Sequence, residues 1–341
     1  LLTGIGHNED AAIVAERIRI NLGQPLTFGD HELVITTSIG IAIYPNDGES
    51  AEELLKNADL AMYYSKRGGG NMYSYFSKQM TETALRRLAL ETNLRKAIER
   101  GELDLHYQPQ FDMDIGKFNG LEALLRWESK EFGIVSPAEF IPLAEDTGLI
   151  VSIGEWVLRK ACSQVQMWRE TGLPIERIAV NVSGVQFLHR GFSQLVTNVL
   201  AETGLTPGVL ELELTEGALI NDEELVLSVL KTLKQIGVIL AIDDFGTGYS
   251  SLSRLKNFPI DRLKIDQAFV RNLELDSDNA AIAVAVIAMA ESMGKKVMAE
   301  GVETSKQLDF LKSKRCNEVQ GYLLSRPLPS AQVQAFLRAS E

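Results

Sequence analysis

Eight short apolar runs recur along the last two-thirds of this chain, and nearly all of them end in an acid, an amide or a base. The first is 103–108 (Leu-Asp-Leu-His-Tyr-Gln), closing on Gln108, and the second is 121–127, which carries Glu122 and Arg126. Ile178–Val180 runs into Asn181, and Leu210–Glu216 is unusually acidic for a strand. Ile239–Ile242 runs into Asp243 and Asp244, and 262–266 mixes Lys264 with apolar residues. Lys296–Ala299 runs into Glu300 with Glu303 just beyond, and the last run, 318–322, contains Gln320. Amphipathic stretches of helical length separate most of them. Eight strands alternating with helices predict a closed α/β barrel, and such barrels place their chemistry at the C-terminal strand ends. Carboxylates and amides gathered there form a cage for a hard divalent cation.

A chain of 341 residues holds one such barrel of roughly 250 residues plus a smaller unit. Its net charge is −12, and both parts are acidic: residues 1–78 hold 6 Lys+Arg against 10 Asp+Glu. That argues against a nucleic-acid polymer as partner. It also means that bound metal must reverse the local field if the substrate is a phosphate ester. Only two cysteines occur, Cys162 and Cys316, the usage of a reducing, cytoplasmic compartment. The small-apolar run Ala280–Ala290 is too short to cross a bilayer, which takes about 20 residues, and reads as a buried helix. The chain begins at Leu1 without a methionine, so the expectation is a piece of a longer protein, the cytoplasmic part of one that a membrane anchor could tether.

Residues 1–78 read as a separate partial unit. Helical periodicity spans 9–22, β-branched residues at 33–44 predict a strand, and 45–48 (Pro-Asn-Asp-Gly) is turn chemistry. Ser50 with Glu53 resembles a capping box opening a helix through Lys66, and Met72–Phe76 reads as a last strand. A broad apolar stripe then predicts a connecting helix over 79–100. It either leads into the barrel or couples two domains, which periodicity alone does not separate. The barrel occupies 101–341.

Each candidate site residue has a bland alternative. Glu122 could form a buried ion pair with Arg126, and Lys264 one with Glu300 or Glu303. Asp243 and Asp244 are sharper: adjacent, partly buried carboxylates repel each other unless a cation relieves them. The segment 245–251 that follows (Phe-Gly-Thr-Gly-Tyr-Ser-Ser) is Gly-rich and placed to close over a ligand. Glu213 shares a strand face with Glu211, and Glu216 lies on the other unless the strand has ended. Two metal ions a few Å apart would activate a water and clamp a phosphoryl group for in-line attack.

The run Glu122-Ala123-Leu124 within 121–127 resembles the signature of EAL domains, the cyclic di-GMP phosphodiesterases. The resemblance covers about 85–341. It continues through Tyr107-Gln108-Pro109, 137–142, Asn181-Val182-Ser183, 213–216, 243–252, Lys264-Ile265-Asp266, 299–303 and Gln320-Gly321-Tyr322. It implies a TIM-like (β/α)8 barrel with an antiparallel first strand, and two Mg²⁺ or Mn²⁺ ions. By motif, Glu122, Asn181, Glu213 and Asp243 hold the first ion, with Asp243 bridging to a second that Asp244 and Glu300 complete. Lys264 holds the attacking water, Glu303 steadies Lys264 and the metal waters, and Glu216 anchors the loop after Asp244. Gln108, Arg126 and Gln320 touch the dinucleotide. The implied product is linear pGpG, the implied role is bacterial signalling, and a homodimer is implied as well.

Residues 1–78 resemble the C-terminal part of a GGDEF (diguanylate cyclase) domain, through 37–42, 58–63 and 66–71. The signature motif itself is absent from these residues, so no cyclase activity is expected of them. The competing reading is a catalytically silent cyclic di-GMP receptor; a barrel using one Mg²⁺ on an enolate is a third. Retention of every presumed metal ligand argues against the receptor.

Overall fold

The computed structural model describes residues 1–29, 31–219, 222–246, 252–273 and 277–340. They divide into two compact units, Leu1–Thr92 and Asn93–Glu341.

In the first unit a helix, Asn8–Leu22, precedes a hairpin of β1 (Leu26–Phe28) and β2 (His31–Leu33). Strand β3 (Ile39–Ile41) pairs in parallel with β4 (Tyr73–Tyr75), and the helix Ala51–Arg67 crosses between them. A small core joins Ala11 and Ala15 to Ile41 and Ile43, flanked by Ile39, Tyr73 and Tyr75. The strand expected over 33–44 is therefore broken. Val34 and Ile35 are exposed and 34–38 carries no regular structure, because β-branched composition favours a strand only where a neighbour pairs with it. Ser50 caps its helix by accepting from the Glu53 N–H, but the Glu53 carboxylate returns to the Glu49 N–H, one residue before the cap. The helix expected over 79–100 spans Lys78–Leu94, and hydrogen-bonded turns carry the chain from there to Gly101 (φ 65°).

The second unit is the barrel. Its strands are β5 (Leu103–Asp112), β6 (Lys117–Ser129), β8 (Arg177–Val182), β9 (Leu210–Thr215), β10 (Ile239–Phe245), β11 (Arg262–Ile265), β12 (Lys296–Ala299) and β13 (Glu318–Val319). They hydrogen-bond in that order, and β5 closes the ring by pairing with both β6 and β13. Strand β5 is antiparallel to both neighbours, while β6 and the strands from β8 to β13 run parallel. Two short strands extend the rim, β7 (Gly133–Val135) on β6 and β14 (Leu328–Pro329) on β5. All eight strands expected from the sequence are present.

Helices cover the outside. In Glu223–Ile236 the buried positions are Val226, Leu230 and Leu233, one stripe at helical spacing. Asp222 caps its start through the Leu225 N–H, and Gly237 at φ 100° ends it in the left-handed region. Replacing a side chain such as Leu230, which is fully buried, by alanine costs about 2–5 kcal/mol. The strands are buried on both faces. In β9, Leu210, Leu212 and Leu214 alternate with Glu211 and Glu213, and all five are buried. The leucines and the glutamates occupy opposite faces, and the ion pairs of both glutamates place the acids inside the ring.

Candidate active site

Period-two alternation sends every second strand residue into the barrel, so each polar strand end brings an inward partner two residues earlier. The upper level collects Glu122 from β6, Asn181 from β8, Glu213 from β9, Asp243 and Asp244 from β10, Lys264 from β11 and Glu300 just beyond β12. Lys264, completely buried, is the hub. Its Nζ lies 2.5 Å from Glu300 Oε1, 2.8 Å from Glu213 Oε2, 3.2 Å from Asp243 Oδ1 and 4.0 Å from Glu122 Oε1. Asn181 Nδ2 donates to Glu122 Oε1 at 2.6 Å, and Gln320 Nε2 donates to Glu122 Oε2.

Adjacent residues in a regular strand point to opposite faces, yet Asp243 and Asp244 serve one site. The β10–β11 register slips between Ile242 and Phe245, and Asp244 sits at φ 53°, a left-handed conformation that a non-glycine residue rarely adopts. This bulge turns the second carboxylate back toward the first. Oxygens of Asp243, Asp244 and Glu300 come within 4.8 Å of one another.

Four carboxylates meet one ammonium, and a fifth, Asp244, stands beside Asp243 and Glu300. Burial opposes the charge on Lys264, but Asp243, Glu122, Glu213 and Glu300 outweigh it and hold its pKa well above the ordinary lysine value. Burial, with added repulsion from Asp243 and Glu122, pushes Glu300 up to about 8 against the pull of Lys264. Burial, a hydrogen bond with Asp266 and the neighbouring Asp243 push Asp244 up to about 7. Glu213 is driven up too, by burial first and then by its acidic neighbours. Glu213 Oε1 is buried without a hydrogen-bond partner among the described residues, and Oε2 has the Lys264 ammonium at 2.8 Å. A buried carboxylate so placed is a costly arrangement that a cation relieves. An all-oxygen donor set with one amide suits a hard divalent ion.

Glu216 follows the end of β9 in a short 3-10 turn, is buried, and accepts from the Gly246 N–H at 3.3 Å. The rest of the Gly-rich loop, 247–251, lies outside the described residues. Gln108 is buried on β5, where its Nε2 donates to the Ser325 carbonyl and its Oε1 accepts from Gln320 at 3.1 Å. Gln320 is seated where the chain passes close to Val302: a Cβ on Gly321 would lie 2.1 Å from the Val302 carbonyl oxygen. Arg126 is half-buried, and its Nη1 donates to the Leu125 carbonyl rather than bridging to Glu122. It lines a cavity of about 290 Å³ with Leu124, Pro137, Ile141, Glu145 and Asn181.

Glu303 is not brought to Lys264. Its side chain is exposed, and its backbone N–H donates to Gln307 Oε1 in the cap of the helix Ser305–Ser313. The lysine takes Glu213 and Asp243 instead, because those acids share the barrel interior whereas Glu303 stands beyond the strand.

Sequence reasoning missed a second polar level beneath the first. Arg177 and Arg262 alternate with Glu211 and Glu318. Arg177 Nε lies 3.2 Å from Glu211 and its Nη2 lies 2.6 Å from Glu318 Oε2. Arg262 Nε lies 3.0 Å from Glu211, and its Nη1 also meets Glu318. The two arginines outweigh burial and hold the Glu318 carboxyl down at about 2. A spacing of two was the available signal. Glu211 precedes Glu213, Arg262 precedes Lys264 and Glu318 precedes Gln320, each by one inward position.

Residues 91–327 match the family model of the EAL domain. The chain belongs to the EAL domain family. Residues 1–72 match the diguanylate cyclase GGDEF domain. The bifunctional diguanylate cyclase/cyclic di-GMP phosphodiesterase MucR of Pseudomonas aeruginosa is 47% identical over 326 residues, covering 96% of this chain and 48% of that protein. The cyclic di-GMP phosphodiesterase NbdA of the same organism is 42% identical over 339 residues, covering 99% of this chain and 43% of that protein. The chain thus spans less than half the length of either. Among solved structures, the MucR phosphodiesterase in complex with c-di-GMP is 48% identical with a TM-score of 0.70, covering 72% of this chain and 99% of that one. No described helix of this EAL chain is long and apolar enough to cross a membrane.

Proposed function

We propose that the EAL barrel hydrolyses one phosphodiester bond of cyclic di-GMP to give linear pGpG, using two Mg²⁺ or Mn²⁺ ions. The observation that carries the reading is the charge imbalance of the upper level. Among the described residues Glu122, Glu213, Asp243, Asp244 and Glu300 stand against Lys264, a formal −4 that two divalent cations would offset. Glu122, Asn181, Glu213 and Asp243 would hold one ion; Asp243, Asp244 and Glu300 would hold the other. When bound, the ions supply Lewis acidity toward the phosphoryl oxygens and the attacking water.

The chain's own groups do the rest. Lys264 remains an ammonium and donates to the water, fixing its oxygen for in-line approach. Glu300 Oε1, beside Lys264 Nζ, accepts the water proton. The water oxygen bonds to phosphorus as the bond to the 3′ oxygen breaks. That oxygen leaves and takes a proton from solvent water, Glu300 returns its own proton to solvent, and the new 5′ end keeps the phosphate. Arg126 and the apolar wall of its cavity would receive one end of the dinucleotide, and Gln108 and Gln320 would meet it from beside Glu122. Glu216 steadies the chain after Asp244 through Gly246, and Glu303 acts from the rim. The expected setting is the bacterial cytoplasm, with the chain as a homodimer.

The test is incubation of the purified chain with cyclic di-GMP and Mg²⁺ or Mn²⁺, with and without EDTA, with products resolved by chromatography. Metal-dependent pGpG is the expected result. Binding without turnover would overturn the enzyme reading in favour of a receptor.

A further inference from the structure

A column of side chains joins the two polar levels, and the column has a direction. A guanidinium only donates hydrogen bonds. Arg177 Nη2 donates to Gln110 Oε1 at 2.8 Å, so the Gln110 nitrogen must face the other way. It donates to Gln320 Oε1 at 2.9 Å. That in turn leaves the Gln320 nitrogen facing Glu122 and Gln108. Reversing either amide would set oxygen against oxygen in a buried space: Gln110 is 0% exposed, Arg177 3%, Gln320 4% and Glu122 5%. Strand β6 makes room for the column. A Cβ on Gly120 would lie 2.6 Å from Gln110 Oε1 and 3.0 Å from Arg177 Nη2.

We infer that Arg177 and Gln110 are positioning residues for the hydrolysis proposed above, on which this inference rests. They force the Gln320 amide to present N–H to Glu122, so that Glu122 is held between Gln320 on Oε2 and Asn181 on Oε1. Glu211 and Glu318 hold the Arg177 guanidinium from below, which makes the charged ring the fixed end of the column. Nothing in the column touches substrate except its last members.

Two substitutions test the relay. Gln110→Glu keeps an acceptor for Arg177 but offers no donor to Gln320, so the Gln320 nitrogen turns toward the new carboxylate and its oxygen toward Glu122. Gln110→Met removes both contacts at similar volume and serves if the first variant fails to fold. Both should lower kcat about tenfold, the low end of what losing an orienting partner of a metal ligand costs. They should weaken Mn²⁺ binding to match and leave KM for cyclic di-GMP within about twofold. In a Gln320→Met background neither should have a further effect. The side-chain amide resonances of Gln320, identified by their loss in Gln320→Met, should shift in both variants without metal or substrate. An unmoved Gln320 resonance, or an undiminished kcat loss in the Gln320→Met background, overturns the relay. If the unsubstituted chain hydrolyses nothing, the phosphodiesterase reading fails, and the metal-free resonances still decide the relay.

Discussion

The barrel encloses two clusters of buried charge one strand step apart, and they are built on opposite rules. In the lower ring two arginines alternate with two glutamates, and each carboxylate meets both guanidinium groups. In the upper cluster four carboxylates meet one lysine, and a fifth, Asp244, stands beside Asp243 and Glu300. The lower ring balances two guanidinium groups against two carboxylates, and Glu318 is held at about 2. The upper cluster is rich in acid, and Glu300 rises to about 8 and Asp244 to about 7. Burial raises all three carboxyls, and their neighbours set the sign: two guanidinium groups pull Glu318 down, whereas Glu300 and Asp244 have acids beside them.

The comparison breaks most sharply on a pair of acid-to-alanine substitutions. Glu122→Ala should cut hydrolysis by at least about a hundredfold, the scale of losing one electrostatic stabiliser of a transition state. It should weaken Mn²⁺ binding, yet leave the metal-free melting temperature unchanged or higher, because one of five repelling carboxylates has gone. Substantial residual turnover would count against its role. Glu318→Ala should do the reverse to the fold. It strands Arg177 and Arg262 in the interior and should cost about 3–5 kcal/mol in denaturant unfolding, as breaking a buried ion pair does. Equal stability losses in the two variants would erase the distinction between the clusters.

The pH dependence of the metal-free chain sharpens the same contrast. Glu300 and Asp244 titrate above their ordinary 4.5 and 3.8 in the fold, so the folded state binds more protons than the unfolded one. Their contribution is complete below the ordinary values and is lost as pH rises through about 7 and about 8. Glu318 is depressed, so its contribution is present above 4.5 and is lost as pH falls through about 2. Melting curves between pH 5 and 9 should therefore decline with rising pH without metal. Saturating Mn²⁺ should flatten them, adding about 2.7 kcal/mol at a hundredfold excess over its Kd. A metal-free profile that climbs toward pH 9 would show that the upper acids are not repelling.

The sequence made the strands legible because inward and outward residues alternate so regularly, and the acids at their ends because a carboxylate in an apolar run is rare. Glu122, Asn181, Glu213, Asp243, Asp244, Lys264 and Glu300 do converge. What was not legible depended on local backbone or on depth. The bulge that lets Asp243 and Asp244 face one site leaves no mark beyond two adjacent acids. Glu303 reads as one more strand-end acid, yet the chain has already left the barrel interior when it reaches that position. Arg177, Arg262, Glu211 and Glu318 lay in plain view, but each was hidden by a neighbour with a more suggestive motif. In the first unit, 34–38 has strand composition without a strand partner, which composition cannot supply.

The smallest expected effect concerns the edge of the lower ring. Lys296 lies 3.6 Å from Glu318 and 3.5 Å from Asp112, with its side chain 49% exposed. Glu318 already has two guanidinium partners, and Asp112 already accepts from Asp114, Ile115 and Asn119. Lys296 therefore adds charge to acids that are satisfied without it, across a distance that water screens. Lys296→Ala should cost under about 1 kcal/mol, the range of exposed pairs, and the loss should shrink further in high salt. In the double substitution with Glu318→Ala the further loss should be smaller still, since only the Asp112 contact remains to be broken. A larger loss for Lys296→Ala, insensitive to salt, would mean that the ring is five-membered and that its balance depends on a residue at its rim.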